Sequence, residues 1–163
     1  MPRRPAPLTD PFWPVPSDET LRFLQVIWQM EHALGRASKR MEDTLRMSGP
    51  QRFTLRLVGA RPGITPTEIA TGLHLHPSTI TGILKRLEAR GLVRRETNRS
   101  DGRVAHFFLT ASGERADVPT AKGTIEHAVR STLRRCTGTK RKAAVDVLHE
   151  LTRELLKIAD ARG

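Results

Sequence analysis

The sequence contains no tyrosine, one cysteine in 163 residues, and aromatic side chains at only 4%. Each shortage excludes something. Without an aromatic platform, the chain is poorly equipped to stack the bases of single-stranded nucleic acid. Cys136 alone forms no internal disulfide and no cysteine-rich zinc site, and its solitude fits a reducing cytoplasm. Long apolar runs are missing as well: none approaches the roughly 20 residues of a membrane span. No membrane partner is expected. Arg3 and Arg4 are followed by proline and aspartate rather than an apolar stretch, so no secretory leader is expected either.

Negative charge is also scarce. Lys and Arg number 28 against 17 Asp and Glu, a net +11. The excess is uneven: residues 1–20 carry −1, 21–47 carry +2, 48–115 carry +6 and 116–163 carry +4. It therefore sits in the body of the chain and not in a basic tail, and a polyanion is the first partner to consider.

Six of the eleven prolines fall within residues 1–16, which predicts an extended, flexible arm. Ser17-Asp18-Glu19-Thr20 then reads as a helix start. Phe23, Ile27, Met30, Leu34, Ala37, Met41 and Leu45 follow at steps of three and four, a helical seam running to about residue 47. Ala144, Leu148, Leu151, Leu155 and Ile158 repeat that spacing near the other end. A further helix is expected over roughly 114–136. The two seams suit either packing within one chain or an interface between two copies.

The centre, residues 48–113, is denser in signals. A helix of about 50–60 ends at Arg61-Pro62-Gly63. Thr65-Pro66-Thr67-Glu68 has the spacing of a capping box with proline in the first turn. A second proline-led helix opens at His76-Pro77-Ser78 and runs to Arg90, with Gly91 as its left-handed stop. Ile80, Ile83, Leu84 and Leu87 form its apolar face; the other face shows Pro77, Ser78, Thr79, Thr81, Gly82, Lys85 and Arg86. Two short helices joined by such a turn make a helix-turn-helix. Leu92–Thr97 and Val104–Leu109 read as strands separated by a loop containing Asp101-Gly102, a hairpin signal. Phe107 and Phe108 cannot share a strand face, so one is expected on the helices and the other on the long helix that follows. The fold expected is mainly α with a small β-hairpin wing.

Such a helix suits the major groove of duplex DNA. Ser78, Thr79 and Gly82 permit close approach, the Thr81 methyl suits thymine, and Lys85 and Arg86 reach guanine or phosphate. Arg94, Arg95, Arg99 and Arg103 flank or occupy the hairpin loop, where an arginine enters a minor groove. Small and basic residues occur on many solvated helix faces. Here seven basic residues over 76–103, against Glu88, Glu96 and Asp101, converge with a helix and a hairpin.

Residues 64–113 resemble the MarR family (multiple antibiotic resistance regulators) of winged-helix transcription factors. The matching residues are Thr67-Glu68-Ile69-Ala70, Pro77-Ser78-Thr79-Ile80-Thr81, Leu87 to Val93, Asp101-x-Arg103 and Leu109-Thr110-x-x-Gly113. The resemblance extends more weakly over about 20–160. It implies N- and C-terminal dimerisation helices (17–47 and 114–163) and a homodimer acting as a regulator, expected to be a repressor, on a pseudo-palindromic site. It further implies Arg103 in the minor groove and Asp101 orienting the wing by pairing with Arg99 or Arg95. Gly102 departs from the basic residue common at its position, and His76 from the usual capping Ser or Asn. The family also implies a small anionic or phenolic effector, for which Phe23, Trp28, His32, Phe53 and Arg56 are candidate lining residues; plain core packing is the simpler expectation for them. The alternative function is a winged helix used for protein association or non-specific nucleoid architecture.

No other chemistry is indicated. His74 and His76 form an H-x-H pair without further ligands at helpful spacing, so no metal is expected. No catalytic constellation or phosphate loop appears, and no cofactor is expected. Cys136 is expected to be buried and inert, and the basic run from Arg130 to Lys142 to be a solvated helix corner.

Overall fold

The computed structural model describes residues 18–97, 104–118 and 122–161. Its elements are α1 (Glu19–Leu45), α2 (Gly49–Ala60), α3 (Pro66–Leu73), α4 (Pro77–Ala89), β1 (Val93–Thr97), β2 (Ala105–Leu109), α5 (Ala111–Ala116), α6 (Ile125–Arg134) and α7 (Gly138–Asp160). No helix among the described residues is long and apolar enough to cross a membrane.

Local chemistry sets the helix starts. The Asp18 side chain accepts from Thr20 N at 2.8 Å and caps α1. At α3 the Thr65 hydroxyl accepts from Glu68 N at 3.2 Å, and a Glu68 carboxylate oxygen accepts from Thr65 N at 2.8 Å, with Pro66 in the first turn. Gly91, at φ +65°, turns the chain from α4 into β1. Arg46 and His74 take the same left-handed region at the ends of α1 and α3.

β1 and β2 pair antiparallel with Val93 opposite Leu109 and Arg94 opposite Phe108. Ile64 adds a bridge to Phe107, with Gly63 N donating to Phe107 O at 2.9 Å and Phe107 N to Ile64 O at 3.1 Å. Phe107 thereby enters the core. Phe108 points the other way but does not meet a following long helix: it lies beneath the Arg94 guanidinium, 4.7 Å from the ring centre, and against Gly63. The helix expected over 114–136 is two helices, α5 and α6. Gly123 at φ +78° and the Thr124 cap, whose hydroxyl accepts from His127 N at 3.1 Å, start α6 afresh.

The core lies within residues 47–107. Leu55 and Val58 of α2, Ile69 of α3, Ile80, Leu84 and Leu87 of α4, and Val93 of β1 are its most deeply buried members. Each such side chain contributes about 1.5–3 kcal/mol by leaving water. Beyond this core, α1 buries only Met41, and α6 and α7 bury no residue at all.

The hairpin is fastened to α5 by Thr110. Its N–H donates to Leu92 O at 3.1 Å, its hydroxyl donates to Gly91 O at 2.5 Å, and the same oxygen accepts from Gly113 N at 3.0 Å. A Cβ at Gly113 would stand 1.9 Å from Leu92 O, a backbone atom that cannot swing aside. Gly113→Ala should therefore destabilise the fold by about 3 kcal/mol or more, read as a lower urea midpoint; an unchanged midpoint would contradict this packing. Glu68 offers a second test. Its hydrogen bonds to Thr65, with Arg61 and His106 nearby, hold its carboxyl below the ordinary glutamate value. A folded pKa below the unfolded one stabilises fully above the unfolded value, about 4.3, and the gain is lost as pH falls through the folded value. Acid unfolding of Glu68→Gln should show a shallower pH dependence in that window than the parent.

Candidate nucleic-acid interface

α4 presents one face to solvent and one to the core. Ile80, Ile83, Leu84 and Leu87 are buried, while Pro77, Ser78, Thr79, Thr81, Lys85 and Arg86 are exposed and Gly82 is half-buried. His76 fills the cap position: its Nδ1 accepts from Ser78 N at 3.3 Å and lies 2.7 Å from Ser78 Oγ. The Ser78 hydroxyl is thus engaged before any outside group arrives. Thr81 donates to Pro77 O at 2.9 Å, which leaves its methyl as its chief offering. Neither Lys85 nor Arg86 is paired with a carboxylate among the described residues.

Gly82 is informative. A Cβ built there meets nothing within 4 Å, so nothing among the described residues requires a glycine. Mid-helix glycine costs about 1 kcal/mol relative to alanine, and the missing methyl leaves a flat spot in the middle of the exposed face. Beside it, a groove of about 340 Å³ runs between α4 and the start of α2, lined by Ser48, Pro50, Gln51, Ser78, Thr79, Gly82, Ile83 and Arg86. Ser48, Pro50 and Gln51 were not among the sequence candidates. A signal existed: Ser48-x-x-Gln51 has capping-box spacing, and the Gln51 side chain accepts from Ser48 N at 3.2 Å.

The hairpin candidates divide. Arg99, Asp101 and Arg103 lie outside the described residues. Arg94 is drawn back onto the sheet, over Phe108 and paired with Glu96. Arg95 is exposed.

The five candidate effector residues do not converge. Phe23 (45% exposed) and Trp28 (67%) lie open on α1, so they are not core side chains of this protomer. His32 is also exposed. Arg56 is spoken for, its Nη1 2.7 Å from Asp117 Oδ1. Phe53 does line a groove, of about 510 Å³, but in other company: Ile125, Val129 and Leu133 of α6, with Glu126, Arg130, Arg134 and Arg141. The arginines at the α6–α7 corner thus border an apolar cleft. Cys136 is half-buried there, its carbonyl accepting from Arg141 Nε at 3.0 Å. Among the described residues, no group of three His, Cys, Asp or Glu is placed to hold a metal.

Comparison with known proteins agrees with this architecture. Residues 47–105 match the model of the MarR family. The HTH-type transcriptional regulator TtmR of Methylorubrum extorquens is 37% identical over 87 residues, 53% of this chain and 45% of the relative. The chain spans about half the length of the curated relatives it first matches. The crystal structure of MarR superposes with a TM-score of 0.62 at 25% identity, covering 90% of this chain and 97% of that one. The Staphylococcus aureus MepR–DNA complex shares the fold at 16% identity, with a TM-score of 0.67 and coverage of 81% and 97%. Cap residues, hairpin register and the Thr110–Gly113 clamp bring sequence and fold to one conclusion: residues 47–105 form a winged-helix domain of the kind the MarR family model describes, and the curated proteins similar to it are transcriptional regulators.

Proposed function

We propose that this chain is a cytoplasmic, sequence-specific double-stranded DNA-binding regulator that works as a homodimer on a pseudo-palindromic operator, as a repressor. The observation that carries the reading is the exposed face of α4, where small residues surround Gly82, and Lys85 and Arg86, without a carboxylate partner among the described residues, close the far end. A major groove admits such a helix, and the cations serve guanine or phosphate. MepR, whose fold this is, has been solved on DNA. On the family resemblance Arg103 is assigned to the flanking minor groove and Asp101 to orienting the wing by pairing with Arg99 or Arg95, and these arginines are assigned to the wing's DNA contacts. Arg94, held on Phe108, is assigned to support of the wing.

Homodimerisation is supported by the apolar surface of α1, α6 and α7. Leu24 and Trp28 of α1, Val129 and Leu133 of α6, and Leu155 and Ile158 of α7 are all exposed in the single chain, and large apolar side chains left in water on three helices suit an interface with a second copy. An effector that combines an apolar or aromatic body with negative charge suits the Phe53 groove, where Val129 and Leu133 supply the floor and Arg130, Arg134 and Arg141 the counter-charge.

The test is titration of labelled duplexes, selected from a random pool, at several salt concentrations. Selected sites should bind about a thousandfold or more tighter than random duplex, and the protein should sediment as two 18.2 kDa chains. Absence of any sequence preference would overturn the reading. Gly82→Ala separates function from stability: it should raise the urea midpoint by the equivalent of about 0.5–1 kcal/mol. The same change should weaken operator binding by an amount on the order of one mismatched base pair, about 1–3 kcal/mol. Unaltered operator affinity would remove this face of α4 from the groove.

A further inference from the structure

The faces of α2 have different neighbours. Leu55 and Val58 join the core with α4, whereas Gly49, Arg52, Arg56 and Gly59, at steps of three, four and three, form a second stripe. That stripe meets the segments flanking the DNA-reading core. A Cβ at Gly49 would stand 2.9 Å from Ile125 Cδ1 of α6 and 3.1 Å from Ser38 Oγ of α1, and Gly49 N donates to that Ser38 hydroxyl at 2.8 Å. At the other end, a Cβ at Gly59 would stand 2.4 Å from Asp117 Oδ2. Between the two glycines are the arginines. Arg52, with 5% of its side chain exposed, donates from Nε to Glu126 Oε1 at 2.7 Å, from Nη2 to Val118 O at 2.7 Å and from Nη1 to Ala116 O. Arg56 pairs with Asp117.

We infer that Arg52 and Arg56, seated between Gly49 and Gly59, are positioning residues that fix the distance between the two recognition helices of the dimer. α2 is locked to α4 by apolar packing, so the position of α2 is the position of α4. Its link to the helices flanking the core adds a local polar joint to the apolar contacts of Gly49 and Phe53 with α6. Arg52 takes carbonyls at and just beyond the end of α5, where helical carbonyls lack partners, and a glutamate in the first turn of α6, where negative charge is favoured. One guanidinium therefore ties three elements at a fixed angle. At each glycine a Cβ would crowd the side chains that meet the stripe, Ile125 and Ser38 at one end and Asp117 at the other. None of the four residues lies on the exposed face of α4.

This inference rests on the homodimeric DNA-binding reading above, and the test keeps the two apart. Duplexes selected by the parent protein are lengthened or shortened by one and two base pairs between their half-sites. The variants are Arg56→Gln and Glu126→Gln, the latter keeping an acceptor for Arg52 so that no buried donor is orphaned. In parallel, spin labels on Thr79→Cys in a Cys136→Ser background report the separation of the two α4 helices without DNA. The parent should prefer one spacing by roughly tenfold over the shifted ones and give one narrow label separation. Both variants should flatten that preference to about threefold or less and broaden or move the separation, while random-duplex affinity stays as in the parent. A spacing profile and separation identical to the parent's would overturn the inference, even if thermal stability falls. A parent that selects no duplex would instead overturn the functional reading, leaving the label separations to decide on the joint alone.

Discussion

Leu55 and Val58 are wholly buried in the cluster that also holds Ile80, Ile83 and Leu84, and the packing of α2 on α4 is the contact from which the rest of the molecule is organised. It commits α4 to showing Ser78, Thr79, Thr81, Gly82, Lys85 and Arg86 outward, because a helix that buries one stripe exposes the opposite one. It also places the start of α2 beside that exposed face, which creates the Ser48–Gln51 side of the groove. The arrangement comes from apolar area leaving water, a non-directional force. Direction is added by caps: His76 and Thr65 decide where α4 and α3 begin, and hence which turn of each helix stands at its end.

The hairpin is attached by Val93 and Phe107 in the core and by hydrogen bonds at two places. Thr110 gathers Gly91, Leu92 and Gly113 at one point, and Gly63 and Ile64 pair with Phe107 on the far side of β2. The base of the wing is therefore fixed at both edges by backbone groups. Arg94 and Phe108 show how this base consumes charge that sequence counting assigns to DNA. A guanidinium stacked on a ring and paired with a neighbouring glutamate is occupied locally, so the outward positive charge of β1 falls to Arg95.

What was legible in the sequence was what is decided within a few residues. Asp18, Thr65 with Glu68, Pro66, Pro77 and Gly91 act over one helical turn, and each stands where its spacing predicts. The apolar period of α4 likewise separates its core face from its open face. The features that escaped are long-range. The helix expected over 114–136 is broken, with Ala116 and Val118 giving their carbonyls to Arg52, more than sixty residues away. Apolar spacing carries no trace of that contact. Phe23, Trp28, His32, Phe53 and Arg56 looked like one set because they are aromatic or basic on neighbouring helices. Which helix faces which is a tertiary fact, and it sends Arg56 to Asp117 and Phe53 to α6.

The distribution of buried side chains explains why a polar joint is an effective one. α6 and α7 bury nothing in the single chain, so their apolar faces remain for another surface, and apolar packing does not settle the angle at which they leave the core. Ion pairs settle it instead. A buried pair such as Arg52–Glu126 adds little net stability, since desolvation offsets most of the attraction, but it tolerates few geometries. Glu126 also lines the Phe53 groove, so the same carboxylate belongs to the joint and to the cleft. On the effector reading proposed above, an anion seated in that cleft would act on Glu126 directly, by repulsion across a short distance in a partly dehydrated site. The fold thus places a geometry-sensitive contact beside an apolar opening, and on the function proposed above a change at that opening would reach α2, and through α2 the helix assigned to DNA.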